Sequence, residues 1–382
     1  MTATYTTETA INFLFLSEPD MIAAGVKDVA QCVDVMEETL VLLAQGDYKM
    51  ASLNSNSHGA MITFPENPEF EGMPKDGPDR RFMAMPAYLG GRFKNTGVKW
   101  YGSNAENKAS GLPRSIHTFV LNDTVTGAPK AIMSANLLSA YRTGAVPGVG
   151  VKHLAVADAT TLAVVGPGVM AKTITEACIV ERPEITTIKI KGRSERGINA
   201  FATWALEKFP EIEVVAVGSE EDVVKDADIV IAATTTDAAG SSAFPYFKKE
   251  WLKPGALLLL PAAGRFDDAY LLDDARLVVD YMGLYEAWAE EYGPQAYQLL
   301  GIPGTHWYDL ALQGKLDLAK ISQIGDICSG KLPGRTNDEE IILYSVGGMP
   351  VEDVAWATQV YENALEKGVG TTLNLWESPA LA

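Results

Sequence analysis

Thr160-Thr-Leu-Ala-Val-Val-Gly-Pro-Gly-Val-Met-Ala171 decides the fold of this chain. The apolar run 162–165 reads as a buried strand, and it enters Gly166-x-Gly168-x-x-Ala171 and then a helix-like stretch. That order is a dinucleotide fingerprint in its proper setting. Gly166 permits the tight turn, Gly168 lets backbone approach a pyrophosphate, and Ala171 allows the helix to pack closely on the strand. Unsatisfied N–H groups and the positive dipole end at the helix start then favour phosphate. A second strand at 187–191 and a later one at 228–233, ending in Thr234-Thr235-Thr236, continue the βαβ rhythm.

The tip of the second strand says which dinucleotide is expected. A strand that binds an unphosphorylated ribose usually ends in Asp or Glu about 20 residues after the glycines, whereas this chain reads Lys191-Gly192-Arg193-Ser194-Glu195-Arg196. Arg193 and Ser194, helped by Lys191 or Arg196, offer bidentate and hydroxyl donors to a 2′-phosphate. NADP(H) is therefore expected over NAD(H). Val169 and Met170 at the helix start, Thr143, and Thr234 and Thr235 after the later strand complete the expected cofactor contacts.

Composition narrows the function further. The 382 residues suffice for two domains, and 47% apolar with 21% charged residues is the balance of a globular protein. A net charge of −18 argues against nucleic acid and anionic membranes as partners, because both demand clustered Lys and Arg. Cys32, Cys178 and Cys328 show neither metal-ligand spacing nor an even-numbered disulfide framework, so no metal and a cytoplasmic location are expected. The longest purely apolar run, 256–263, contains Pro261 and is too short to span a bilayer; no signal peptide or membrane helix is expected.

Along the chain, 12–16 reads as a strand, and Val29, Cys32, Val33, Met36, Leu40 and Leu43 recur at helical spacing before Gly46. Residues 54–78 are rich in Asn, Ser, Gly and Pro and read as loop with short strand. Segments 82–88, 97–101, 117–122 and 129–133 read as strands of a mixed sheet, and 135–154 as a long helix rich in small residues. The aromatic segment 280–316 reads as a decorated late part of the nucleotide-binding region, or alternatively as a lid. The expected fold class is α/β: a Rossmann-type doubly wound parallel sheet at 158–337, and a mixed α+β substrate and dimerisation domain from 1–157 with 338–382. In this reading 339–346 and 351–367 return to the first domain.

The order of motifs resembles the ornithine cyclodeaminase and mu-crystallin family, which also includes an alanine dehydrogenase and ketimine reductases. The matching runs are Met85-Pro-Ala-Tyr88, Gly97-Val-Lys99, Gly111-Leu-Pro113, Thr126-Gly-Ala-Pro-Lys-Ala-Ile132, Ser139-Ala-Tyr-Arg-Thr-Gly-Ala145, the glycine fingerprint, Asp226-Ala-Asp-Ile229 and Gly325-Asp-Ile-Cys-Ser-Gly330, with Gly347 and Asp353 beyond. The resemblance covers about residues 30–375 and implies a homodimer. It also implies that Lys99 and Arg142 hold the carboxylate of an amino or imino acid. The residues agree, since a lysine inside a strand is costly to bury unless an anion pairs with it.

The chain departs from the family pattern in three places. Ornithine-type members carry a further arginine shortly before the first core strand, but 48–58 has none, which makes Asn54, Asn56 and His58 candidates to face the site. Arg114 follows Gly111-Leu-Pro113 where the family commonly has Thr, and is a candidate to restore the missing cation or, alternatively, to face solvent. The cyclodeaminase aspartate lies two residues after an Ala-x-Gly turn; here Asp267 comes one place late after Ala262-Ala-Gly264, with Asp268 beside it.

The expected function is hydride transfer between NADP(H) and the α-carbon of an amino or imino acid. Lys99 or Asp267 would carry the proton on nitrogen, with His58 as a third candidate. An ornithine cyclodeaminase with recycled cofactor is the rival enzyme, and a non-catalytic NADP-dependent binding protein is the rival from another class.

Overall fold

The computed structural model describes residues 9–234 and 240–381. The first half of the chain lays down β1 (Ile11–Leu16), β2 (Tyr48–Met50), β3 (Ala60–Thr63), β4 (Arg81–Leu89), β5 (Asn95–Ser103), β6 (Ser115–Asp123) and β7 (Pro129–Ser134). A second series follows: β8 (Thr161–Val165), β9 (Thr187–Lys191), β10 (Glu213–Ala216), β11 (Ile229–Ala232), β12 (Leu257–Leu260), β13 (Arg276–Val279), β14 (Ile321–Gln323) and β15 (Ile342–Ser345). β16 (Thr371–Trp376) then returns to the first series. The first sheet runs β16-β1-β7-β6-β5-β4-β2, with β3 added on β4, and is mixed. The second runs β10-β9-β8-β11-β12-β15-β13-β14, with every pair parallel. Its central strands β11, β12 and β15 are buried along their whole length, as a parallel sheet covered on both faces requires.

β15 differs from the sequence reading, which gives 338–382 to the first domain. The strand lies inside the parallel sheet between β12 and β13. Its residues Ile-Leu-Tyr-Ser are buried on both faces, and that unbroken run suits a central parallel strand. The chain crosses back only after it, at Gly347-Gly348. The helix Pro350–Lys367 then packs on β4, β5 and the helix Val29–Gln45.

The helix Asn136–Leu154 joins the two sheets, and its small residues set the spacing. A Cβ on Gly144 would lie 2.6 Å from Thr173, one on Gly148 2.8 Å from Ala177, and one on Gly150 2.3 Å from the Tyr344 ring. Thr173 and Ala177 belong to the helix Val169–Glu181 that follows the fingerprint. Close approach of these two helices brings Arg142 and Thr143 beside the start of the fingerprint helix. In the segment 280–316, Trp288, Tyr297 and Trp307 are buried, which matches a packed part of the nucleotide-binding region rather than a lid. Among the described residues no helix is long and apolar enough to cross a membrane.

Candidate active site

Strand alternation in the first sheet does the initial positioning. β5 buries every second side chain, and Lys99 falls on the buried face, paired with Met85 on β4 and Phe119 on β6. Its ammonium is 2% exposed and donates to Asp353 Oδ2 at 2.8 Å and to Ser139 Oγ at 3.2 Å. Arg142, 5% exposed, donates from Nε to Asp353 Oδ1 at 2.9 Å and from Nη1 to Glu352 Oε2 at 2.7 Å. Two cations and two acids from three elements thus form one buried cluster. Both acids are fully buried in the first turn of Pro350–Lys367, where the helix dipole also favours them.

Burial pulls Lys99 down to about 8, with the neighbouring Arg142 charge adding to the effect and Asp353 opposing it. For Asp353 burial works upward, but Arg142 and then Lys99 outweigh it and hold the carboxyl below its ordinary range. Burial raises Glu352 to about 7 against the pull of Arg142, and its Oε1 is buried with no hydrogen-bond partner. A carboxyl raised in the folded state favours folding below its unfolded pKa of about 4.3 and loses that contribution as pH rises through the folded value. Glu352→Gln is therefore expected to flatten the decline of stability between about pH 4.3 and pH 7. Chemical denaturation across that range checks it, and an unchanged slope would refute the assignment.

The cluster opens into a cavity of about 220 Å³ lined also by His58, Arg81, Met85, Tyr101, Arg114, His117, Thr143, Met170 and Gly347-Gly348. His58 Nδ1 lies 2.9 Å from the Gly348 carbonyl, and burial followed by the Lys99 charge lowers the imidazole to about 3. It is neutral near pH 7. Gly348 is required here, since its φ is +74° and a Cβ would lie 2.8 Å from Arg142 Nη1.

A second cavity, about 760 Å³, is lined by Gly166, Pro167, Gly168, Lys191, Gly192, Arg193, Ser194, Thr234, Tyr246 and Ala263. These residues fit a dinucleotide. Gly166 has φ +89°, and a Cβ there would strike Ala233; a Cβ on Gly168 would meet nothing within 4 Å, so that side is open to ligand. No side chain caps the helix behind it, which leaves its first N–H groups for phosphate. Ser194 N-caps the helix Glu195–Lys208 by accepting from Gly197 N at 3.2 Å. Lys191 is paired with Glu220, an acid on the cavity wall that sequence reasoning did not single out. The cavities share borders: Gly168 and Met170 sit two residues apart at one helix start, as do Pro261 and Ala263 after β12.

The remaining sequence candidates scatter. Asn56 accepts from the Tyr48 hydroxyl, which also bonds Tyr281, and it is not among the residues lining the first cavity. Asp267 is exposed at the start of the helix Asp268–Asp273 and makes no side-chain cap bond there; Asp268 pairs with His306 at 2.8 Å. Neither aspartate lines the first cavity. Val169 and Arg196 are exposed and outside the second cavity's lining, and Thr235 lies outside the described residues. Sequence reasoning missed the acids Glu352 and Asp353 as partners of the cations, and also Ser139, Arg81 and His117. Elsewhere Glu37, His153 and Cys328 converge, but Glu37 is already bonded to His153 and to the Lys152 ammonium at 2.6 Å each, which reads as an ion-pair network.

The model of the ornithine cyclodeaminase/mu-crystallin family matches residues 25–368. An N-((2S)-2-amino-2-carboxyethyl)-L-glutamate dehydrogenase of Staphylococcus aureus is 27% identical over 366 residues, covering 95% of this chain and 98% of the relative. The Thermococcus litoralis Delta(1)-pyrroline-2-carboxylate reductase, solved with NADH and L-proline, superposes with a TM-score of 0.72 at 26% identity, covering 94% and 99% of the two chains. An archaeal alanine dehydrogenase dimer with bound NAD superposes with a TM-score of 0.74 at 25% identity, covering 96% and 100%.

Proposed function

The chain belongs to the ornithine cyclodeaminase/mu-crystallin family, and from that premise we propose an NADP(H)-dependent oxidoreductase acting at the C–N bond α to the carboxylate of an amino or imino acid. One observation carries the reading: the buried Lys99 and Arg142 open into a cavity walled by the first turn of the fingerprint helix. The similar proteins named above reduce or dehydrogenate amino or imino acids by their names, which supports the reaction class. Gly166, Gly168, Arg193 and Ser194 along the larger cavity would hold a nicotinamide dinucleotide, which would supply or accept the hydride.

This chain's own residues do the rest. Arg142 and Lys99 hold the carboxylate as a rigid two-cation handle, with Asp353 fixing both donors from behind. Lys99, near 8, is the group that exchanges a proton with the substrate nitrogen around neutral pH. His58, neutral and tied to Gly348, positions the loop that faces Arg142. A cyclodeaminase needs a carboxylate to activate a distal amine, and Glu352, the acid lining the substrate cavity, is held by Arg142 through Oε2, with only its buried Oε1 unpartnered. The reading carries with it a homodimer in the cytoplasm, with the first sheet and its helices as the substrate and dimerisation part.

The test is a cofactor screen with keto acids and amines. Net NADPH consumption supports the proposal, ammonia release without net redox supports the cyclodeaminase, and neither leaves a binding protein. The phosphate preference rests on Arg193 and Ser194, which line the larger cavity where the second strand ends. Losing a charge-assisted phosphate contact costs about 1.5–3 kcal/mol, so Arg193→Ala is expected to weaken NADPH roughly ten- to a hundred-fold while sparing NADH. Tighter binding of NADH than NADPH by the unaltered protein would defeat this part.

A further inference from the structure

Strand register turns the substrate cavity into a ladder. On one face of the first sheet Met85, Lys99 and Phe119 form one row, Met83, Tyr101 and His117 the next, and Arg81, Ser103 and Ser115 a third. Lys99 and the third row are four residues apart along β5, about 13 Å of strand. Arg81, Arg114 and Ser115 line the same cavity as Lys99 and Arg142. The cavity therefore has cationic side chains at both ends.

The distal end is not neutralised from within. Asp79 is shared by both arginines: Oδ1 pairs with Arg81, while Oδ2 lies 3.2 Å from Arg114 Nε and also accepts from Ser103 Oγ at 2.5 Å. Among the described residues one carboxylate thus serves two guanidinium groups in ion pairs. On a chain of net charge −18, such a local positive excess facing a cavity calls for an anion. Between the two ends stands His117, its ring 4.7 Å from Tyr101 and its Nδ1 buried with no hydrogen-bond partner. His117 belongs to the middle row and lines the cavity between its two ends.

We propose that the substrate is dianionic: an α-amino or α-imino acid whose side chain or nitrogen substituent ends in a second carboxylate, held by Arg81 and Arg114 while Lys99 and Arg142 hold the first. The proposal deepens the reading of the preceding subsection and rests on it. The middle of the molecule lies against Tyr101 and His117.

Calorimetric titration at fixed ionic strength, with 2-oxoadipate and 2-oxohexanoate as probes, tests the second site without requiring turnover. The two keto acids share a six-carbon chain and differ in the terminal carboxylate. The dianion is expected to bind at least ten-fold tighter, the preference is expected to shrink to within about three-fold in Arg81→Met and Arg114→Met, and Arg114→Lys is expected to restore part of it. Equal affinity for the probes in the unaltered protein overturns the proposal, as does a preference that survives in both methionine variants. Arg114 is 44% exposed at the start of β6, so its variant keeps the test decisive if Arg81→Met fails to fold. Reduction of either probe with an amine is scored separately: selective binding without turnover in any amine screen counts against the oxidoreductase reading and leaves the dianion site standing.

Discussion

Lys99→Met is expected to lower turnover by about 10²- to 10⁴-fold, the usual contribution of a positioned proton donor or acceptor. Methionine keeps the volume and removes the ammonium. In the reductive direction the protonated lysine is the active form, so turnover of the unaltered enzyme holds below about 8 and falls as pH rises through that value. The variant should lose this alkaline limb along with its rate. Asp267→Asn should retain most of the turnover, because Asp267 is exposed and outside the lining of the cavity that Lys99 and Arg142 line. The reverse ranking of the two variants would transfer the proton to the aspartate and end the lysine mechanism.

Asp353→Ala is expected to cost about 3–5 kcal/mol of stability, because it strips a shared carboxylate from two buried cations. Asp353 has its pKa lowered in the folded state. Its contribution is therefore present above the unfolded carboxylate value of about 3.9 and is lost as pH falls below it. The gap between unaltered protein and variant in urea denaturation should narrow on acidification. Asp353→Asn separates positioning from mere stability. Asp353 is one of the influences that raise Lys99 against its burial, so removing the charge should move the alkaline limb of the rate profile to lower pH. A variant with an unmoved limb would leave Asp353 as a structural residue only.

The strand, glycine turn and helix of the larger cavity were legible because their signal is local. Strand, glycine turn and helix occupy a dozen consecutive residues, and Arg193 and Ser194 stand where the second strand ends. Lys99 was legible for a different reason, as a charge at a position that strand alternation buries. Its partners were not, because Asp353 is 254 positions away and pairing across that distance leaves no periodic trace. A signal did exist: Glu352 and Asp353 sit beside Pro350, Val351 and Val354 in a turn that is buried all round. Acids amid such neighbours demand cations. The placement of β15 escaped for a topological reason, since an apolar four-residue run fits a central strand of either sheet. Asp267 is the converse case, a residue chosen by motif count that stands exposed just before a short helix.

The threading of β15 between β12 and β13, followed by Pro350–Lys367 crossing back to the first sheet, bears on how the chain reaches this state. The parallel sheet is incomplete until residue 345 is in place, and Lys99 and Arg142 remain without their acids until residue 353 arrives. Neither half can close its core early, so the molecule must search for contacts between segments made far apart in time. Loop closure over such separations is entropically expensive and slows folding. During synthesis the first sheet would stand with its cationic face uncovered for most of the chain's passage through the ribosome, a period in which exposed strand edges invite association. The same late crossover that brings the acids to Lys99 and Arg142 makes the protein a candidate client for chaperones.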